Sequence, residues 1–306
     1  MNADLLDQLR QQIQRDVNRR GLDRDPHDNL FTACRDDFAH ACRSIAESPH
    51  ASLGVVTGFF IPHAQPPCGE TDGPLGALFL ARAFSALDIS IVLFTDSFCL
   101  HALEVGTTAA GVSGTVATKR CDDETNLEID SGLTHLIAVE RVGPSYDGRC
   151  RNMRGRDVTG ETSLAHRLFD GSASTSKPIV TIGIGDGGNE IGMGKIAPSL
   201  IARDIEHGES IACRVPTDYL LVAGVSNWGA YVLAAGVAYL RRRPLPASLF
   251  DSRRERELLR LMVEEGPLVD GVTAIQSATV DGLTFDEYIE PLDRIGELLR
   301  NEGLLR

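Results

Sequence analysis

Short apolar runs that alternate with stretches of helical spacing constrain this chain more than any other feature. The runs are residues 53–60 (LGVVTGFF), 89–95, 134–139, 178–184 and 218–224. Each is short, apolar at successive positions and rich in β-branched residues, as a strand is when both faces of its sheet are covered. Helical patterns fall at 74–87, 97–110, 189–204 and 226–242, with two more near 252–265 and 285–302. The expected class is α/β: an open, mostly parallel sheet with helices on both faces and helical additions at each end. Residues 219–240 are long and apolar enough to suggest a membrane span. Ser226–Asn227–Trp228–Gly229 interrupts them, so a buried strand, a loop and a small-residue helix is the better reading.

Leu5, Leu6, Leu9, Ile13 and Val17 recur at helical spacing. Residues 1–50 are therefore read as a helical segment packed on the core, and 51–306 as the α/β domain, one domain overall. The N-terminus lacks the apolar core of a signal peptide, and Asp4, Asp7 and Asp16 count against a transit peptide. Seven cysteines with no CxxC pair suggest neither a disulfide framework nor a zinc knuckle. A reduced, cytoplasmic setting follows as the expectation. A formal net charge of -13 repels phosphate backbones and anionic membranes, so neither nucleic acid nor a membrane is expected as a partner. An anionic substrate would need a local cationic pocket. A homodimer is compatible with the sequence, which does not give the oligomeric state.

In such a sheet, ligands bind beyond the carboxyl ends of the strands. Five segments there are unusually polar. In Cys68–Gly69–Glu70–Thr71–Asp72–Gly73–Pro74, Asp72 reads equally as a cap for the helix that Pro74 opens or as a site residue. Glu70 is not needed for that cap. In Thr95–Asp96–Ser97, a helix cap is the favoured reading. Glu140–Arg141 lies at a strand end in a Gly/Pro turn, where a site pair and a structural salt bridge are both open. Arg154 and Arg156 flank Gly155 within 141–177, a long loop of little periodicity. Their guanidinium groups suit carboxylate or phosphate, or simply solvent. The fifth segment, Gly183 to Lys195 (GIGDGGNEIGMGK), follows a strand and is expected to open a helix. Its glycines permit close backbone approach to an anion, and Asp186 and Glu190 could hold a hard cation. The spacing is not a clean dinucleotide fingerprint, and no nucleotide cofactor is expected.

Taken together, GETDGPLGA (69–77), HLIAVERVGPSYDGR (135–149), NMRGRD (152–157), TIGIGDGGNEIGMGK (181–195) and AGVSNWGAY (223–231) resemble the D-glutamate cyclase family. The likeness is to the C-terminal cyclase module of the animal mitochondrial members, in order over residues 54–290. It implies closure of D-glutamate into 5-oxo-D-proline with loss of water. Joined to what that reaction requires, it implies Asp186 and Glu190 as ligands of Mn²⁺ or Mg²⁺, with Asp72 or Glu70. Arg141 and Arg154 would grip substrate carboxylates, aided by the N–H groups of Gly187 and Gly188. Glu70 or Glu140 would move the proton beside Asp186, and Asn189 and Asn227 would orient polar groups. Two rivals stand beside this reading. One is a haloacid-dehalogenase-like phosphatase, suggested by GDGGNE but lacking an early DxD, since FTDSF offers only Asp96. The other is a non-catalytic nucleotide or amino-acid sensor.

Overall fold

A computed structural model describes residues 4–121, 132–170 and 178–306. Six strands form the main sheet: β1 (Ser52–Thr57), β4 (Ser90–Thr95), β5 (Ala117–Arg120), β6 (His135–Val139), β7 (Val180–Gly185) and β8 (Tyr219–Val222). All pairs are parallel, in the order β5-β4-β1-β6-β7-β8. The chain runs outward from β1 to β5, then returns to the other side of β1 at β6. Parallel β-sheets of this kind bind ligands where that reversal opens a crevice at the strand ends. β2 (Phe60–Ile61) and β3 (Cys68–Gly69) form a small antiparallel hairpin between β1 and the first crossover helix.

Alternate side chains explain the layers. Leu53, Val55, Ile91, Leu93, Ile137, Val139, Ile182 and Ile184 face a core shared with α4 (Pro74–Ala86), α5 (Ser97–Ala109), α8 (Ser226–Arg241) and α9 (Ser252–Glu264). The N-terminal helices α1 (Leu5–Ile13) and α3 (Asp37–Glu47), and the last helix, α10 (Phe285–Asn301), bury apolar stripes in that same core. Val56, Phe94, Leu136, Ala138 and Leu220 face the opposite side. That side is covered by α2 (Leu30–Ala33), α6 (Pro198–Asp204), a short 3-10 turn at Leu164–Leu168 and irregular chain. Among the described residues no helix is long and apolar enough to cross a membrane. All seven cysteines are free.

The five expected strands and the expected α/β class are present, and three local expectations change. Helix α1 stops at Ile13, so Val17 lies in a turn. Residues 189–197 are not helical: Ile191 N–H donates to Arg141 O, and Gly192 and Gly194 N–H to Val215 O. The backbone there bridges two neighbouring segments, and the helix begins only at Pro198. Of the loop expected over 141–177, residues 171–177 lie outside the described residues. The rest folds as turns, bridges and 3-10 segments.

Candidate active site

Six buried carboxylates meet beyond the ends of β3, β6 and β7: Glu70, Asp72, Glu140, Asp186, Glu190 and Asp281. Strand ends put them there. Glu70 follows β3, Glu140 follows β6 and Asp186 follows β7 directly. Glu140 holds a left-handed backbone, φ 44°, a conformation costly for a non-glycine residue. Its Oε2 accepts from Ser226 Oγ at 2.6 Å. Asp281 enters from the loop before α10. Asp270 winds that loop by accepting N–H from Val272, Thr273 and Gly282.

One guanidinium sits among these acids. Arg20, from the turn after α1, pairs with Asp186 Oδ1 and, at 3.1 Å, with Asp281 Oδ2. One positive charge does not balance six carboxylates. Burial and mutual repulsion therefore push the Glu70, Asp72 and Glu140 carboxyls well above the ordinary range. Asp186 is raised by burial and held back by Arg20. Asp281, raised mainly by burial and held back by Arg20, stands at about 8.

Glu70, Glu140, Asp186, Asp281, Arg20 and Arg154 all line one cavity of about 270 Å³, together with Asn18, His63 and Asn152. No donor among the described residues reaches the Glu70 carboxylate. It lies so close over Gly271 that a Cβ there would come within 1.6 Å of its Oε2. Arg154 stands at the exposed rim, with Nη1 2.6 Å from His63 Nε2 and Nη2 donating to Val272 O at 2.9 Å.

Several expected site residues serve the scaffold instead. Arg141 is fully buried and pairs with Asp96 at 2.6 Å; it also donates to Gly58 O and Ser163 Oγ. Its charge is committed below the cavity. The strand-end pair is thus split, with Glu140 in the cavity wall and Arg141 in a structural ion pair. Asp96 takes its bonds from Arg141, Ser163 N–H and Cys121 rather than capping α5. An early phosphatase nucleophile at Asp96 is therefore not supported. The N–H groups of Gly187 and Gly188 do not face a ligand: together with Asp186 N–H they donate to the Glu190 carboxylate at 2.6–2.8 Å. The glycine loop thus closes on its own side chain. Asp72 caps α8, accepting N–H from Ser226 and Asn227, and also accepts the Gly73 N–H just before the helix that Pro74 opens. Asn227 caps α4 in turn. Asn189 donates to Arg151 O at 2.8 Å behind the loop.

Arg20 and Asp281 went unread in the sequence. Arg20 belongs to a segment that reads as amphipathic helix. Asp281 belongs to an Asp–Gly pair that marks only a turn.

A family model described as D-glutamate cyclase-like, C-terminal, matches residues 9–296. The chain belongs to the D-glutamate cyclase-like family. Among curated proteins it is similar to the human mitochondrial D-glutamate cyclase, 31% identical over 292 aligned residues. That alignment takes in 82% of this chain and 46% of the relative, so the chain spans about half the relative's length. The family match, 9–296, includes Arg20 and all six clustered carboxylates.

Proposed function

We propose that this chain closes D-glutamate into 5-oxo-D-proline with loss of water, assisted by Mn²⁺ or Mg²⁺. One observation carries the reading within the family. Buried, mutually raised carboxyls line a cavity of about 270 Å³ that also holds guanidinium groups. This is the chemistry needed to strip a proton from an ammonium and deliver one to a leaving oxygen.

In the reaction the substrate nitrogen forms a bond to its own γ-carbon, and a γ-carbon–oxygen bond breaks. Of the three ammonium protons one stays on the ring nitrogen and two leave with the oxygen as water. Both reacting groups are on one molecule, so the protein's task is conformation, charge and proton transfer. Glu70, unpartnered in the cavity wall, accepts a proton from the ammonium. Glu140, steadied by Ser226, delivers one to the leaving oxygen. Carboxyls with raised pKa values can both take and give protons near neutral pH, an effect worth ~10²–10⁴-fold in rate. Arg154 at the rim takes a substrate carboxylate.

The donor set suits a hard divalent cation. Asp186 belongs to two triads, Asp72–Asp186–Asp281 and Glu140–Asp186–Glu190, whose ligand atoms lie within 4.8 Å of one another. Asp186 Oδ2 is a buried acceptor without a hydrogen-bond partner. When bound, such an ion supplies charge neutralisation and polarisation of the γ-carboxyl group. The free cysteines accord with a reducing compartment, and the cytoplasm is the setting proposed.

The test is incubation of purified protein with D- or L-glutamate and Mn²⁺ or Mg²⁺, with chiral chromatography of 5-oxoproline. Product from D-glutamate, lost in chelator and in Asp186→Ala, is expected. Ligand-induced stabilisation without product would assign the sensor reading instead. Full activity in chelator would remove the metal.

A further inference from the structure

We propose that Asn18 and Arg20, both from the turn between α1 and α2, form the subsite for the α-carboxylate of an amino-acid substrate, beside the acids that receive its ammonium. This rests on the reading above only in taking the ligand to be an α-amino acid.

The turn is built to present these side chains. Asp16 accepts N–H from Arg20, Gly21 and Leu22 at 2.7–3.1 Å, which fixes the backbone just where Arg20 leaves it. Arg20 then reaches the cavity wall with its side chain 13% exposed, held between Asp186 and Asp281. Asn18 lines the same cavity, and its Nδ2 is buried with no acceptor among the described residues. A buried donor left without an acceptor is costly, and a bound anion would satisfy it.

Neither Arg141 nor Lys195 lines the cavity. Arg141 is held by Asp96, and Lys195 by Asp37 and Asp218 O. Among the described residues the cavity-lining guanidinium groups are Arg20 and Arg154. Arg20 alone of these stands against the acids. An α-amino acid carries opposite charges on one carbon, so its site must set a cation directly beside anions. Arg20, 3.1 Å from Asp281 and close enough to Glu70 to steady its charge, provides that juxtaposition. A dicarboxylate without an amine would meet the six acids uncompensated, and an amine without a carboxylate would leave Asn18 Nδ2 unused.

The experiment compares binding of D-glutamate, 4-aminobutyrate (no α-carboxylate) and glutarate (no ammonium) by calorimetry in Mn²⁺. The proteins are wild type, Arg20→Lys and Asn18→Ala. Lysine keeps the charge between Asp186 and Asp281 but loses the planar fork. Asn18→Ala breaks no ion pair and so serves even where Arg20→Lys fails to fold. Both variants should weaken D-glutamate roughly tenfold or more, the scale of a hydrogen bond to a charged group. They should leave 4-aminobutyrate within about the additivity error of wild type. Wild type should prefer D-glutamate to both analogues. With D-glutamate turnover, KM should rise while kcat holds, because the α-carboxylate keeps its charge through ring closure. Equal weakening of D-glutamate and 4-aminobutyrate, unweakened D-glutamate, or wild-type indifference between them overturns the subsite. If wild type shows the expected binding pattern yet makes no 5-oxoproline, the reaction falls and the subsite stands. If it turns over D-glutamate and the variants bind normally, the subsite falls and the reaction stands.

Discussion

Asp72 and Asn227 cap each other's helices. The Asp72 carboxylate accepts the Ser226 and Asn227 N–H groups that open α8, at 2.9 and 2.8 Å. The Asn227 amide oxygen accepts the Gly73 and Gly76 N–H groups that open α4, at 2.9 and 2.6 Å. Two crossovers far apart in sequence are thereby locked end to end. The floor they make carries Ser226, which holds Glu140. Gly73 (φ 93°) permits this approach, since a Cβ there would stand 2.7 Å from Thr57 Oγ1.

Asn227→Ala should therefore cost stability rather than chemistry in the first instance. It leaves the buried Gly76 N–H without its acceptor, while Gly73 N–H keeps Asp72 Oδ1, a loss of about 1–3 kcal/mol. Urea denaturation decides, and an unchanged midpoint for Asn227→Ala would contradict the capping role.

The two arginines expected to grip substrate should behave in opposite ways. Arg141→Met leaves Asp96 buried without its cation and should destabilise by about 3–5 kcal/mol. Arg154→Met, at the exposed rim, should change stability by less than about 1 kcal/mol while lowering kcat/KM for D-glutamate. Denaturation curves and steady-state kinetics on both variants separate the roles.

Glu70→Gln should lower kcat by about 10²–10⁴-fold if Glu70 is the general base. The same change should leave stability equal or improved. A neutral isostere removes the burial of a charge and its repulsion by Asp281, Asp72 and Asp186. Retained kcat would take the base role from Glu70.

His135 offers a pH test away from the cavity. It is buried in β6, and burial, only partly offset by the Ser44 backbone, lowers its pKa to about 4. Between that value and the ordinary range near ~6.5 the unfolded chain binds the extra proton. Stability from this residue is thus present above pH ~6.5 and lost as pH falls toward 4, by up to about 1.4 kcal/mol per pH unit. His135→Leu should flatten that part of the acid slope relative to wild type in unfolding measured from pH 7 to 4. Parallel slopes would count against a buried neutral histidine.

Local pattern was enough for the elements that bury apolar surface. The runs at 134–139 and 178–184 fall largely on central strands, that at 53–60 covers β1 only to Thr57 before the chain turns into β2, and AYVLAAGVAYL lies within α8, because burial imposes a period on the sequence. The edge strand β5 (ATKR) is mostly exposed and carries no such period. The glycine-rich segment after β7 reads as a helix opening, yet its donors close on Glu190.

By itself the sequence determined the parallel α/β class and the placing of Glu70, Glu140 and Asp186 just past strand ends. Periodic burial and chain direction decide both. Which carboxylate caps, which plugs the glycine loop and which faces the cavity was settled only by the tertiary structure. So was the arrival of Arg20 and Asp281 from opposite ends of the chain. A carboxylate bonds whichever N–H or guanidinium the strand order brings beside it, and those partners lie far from it in sequence.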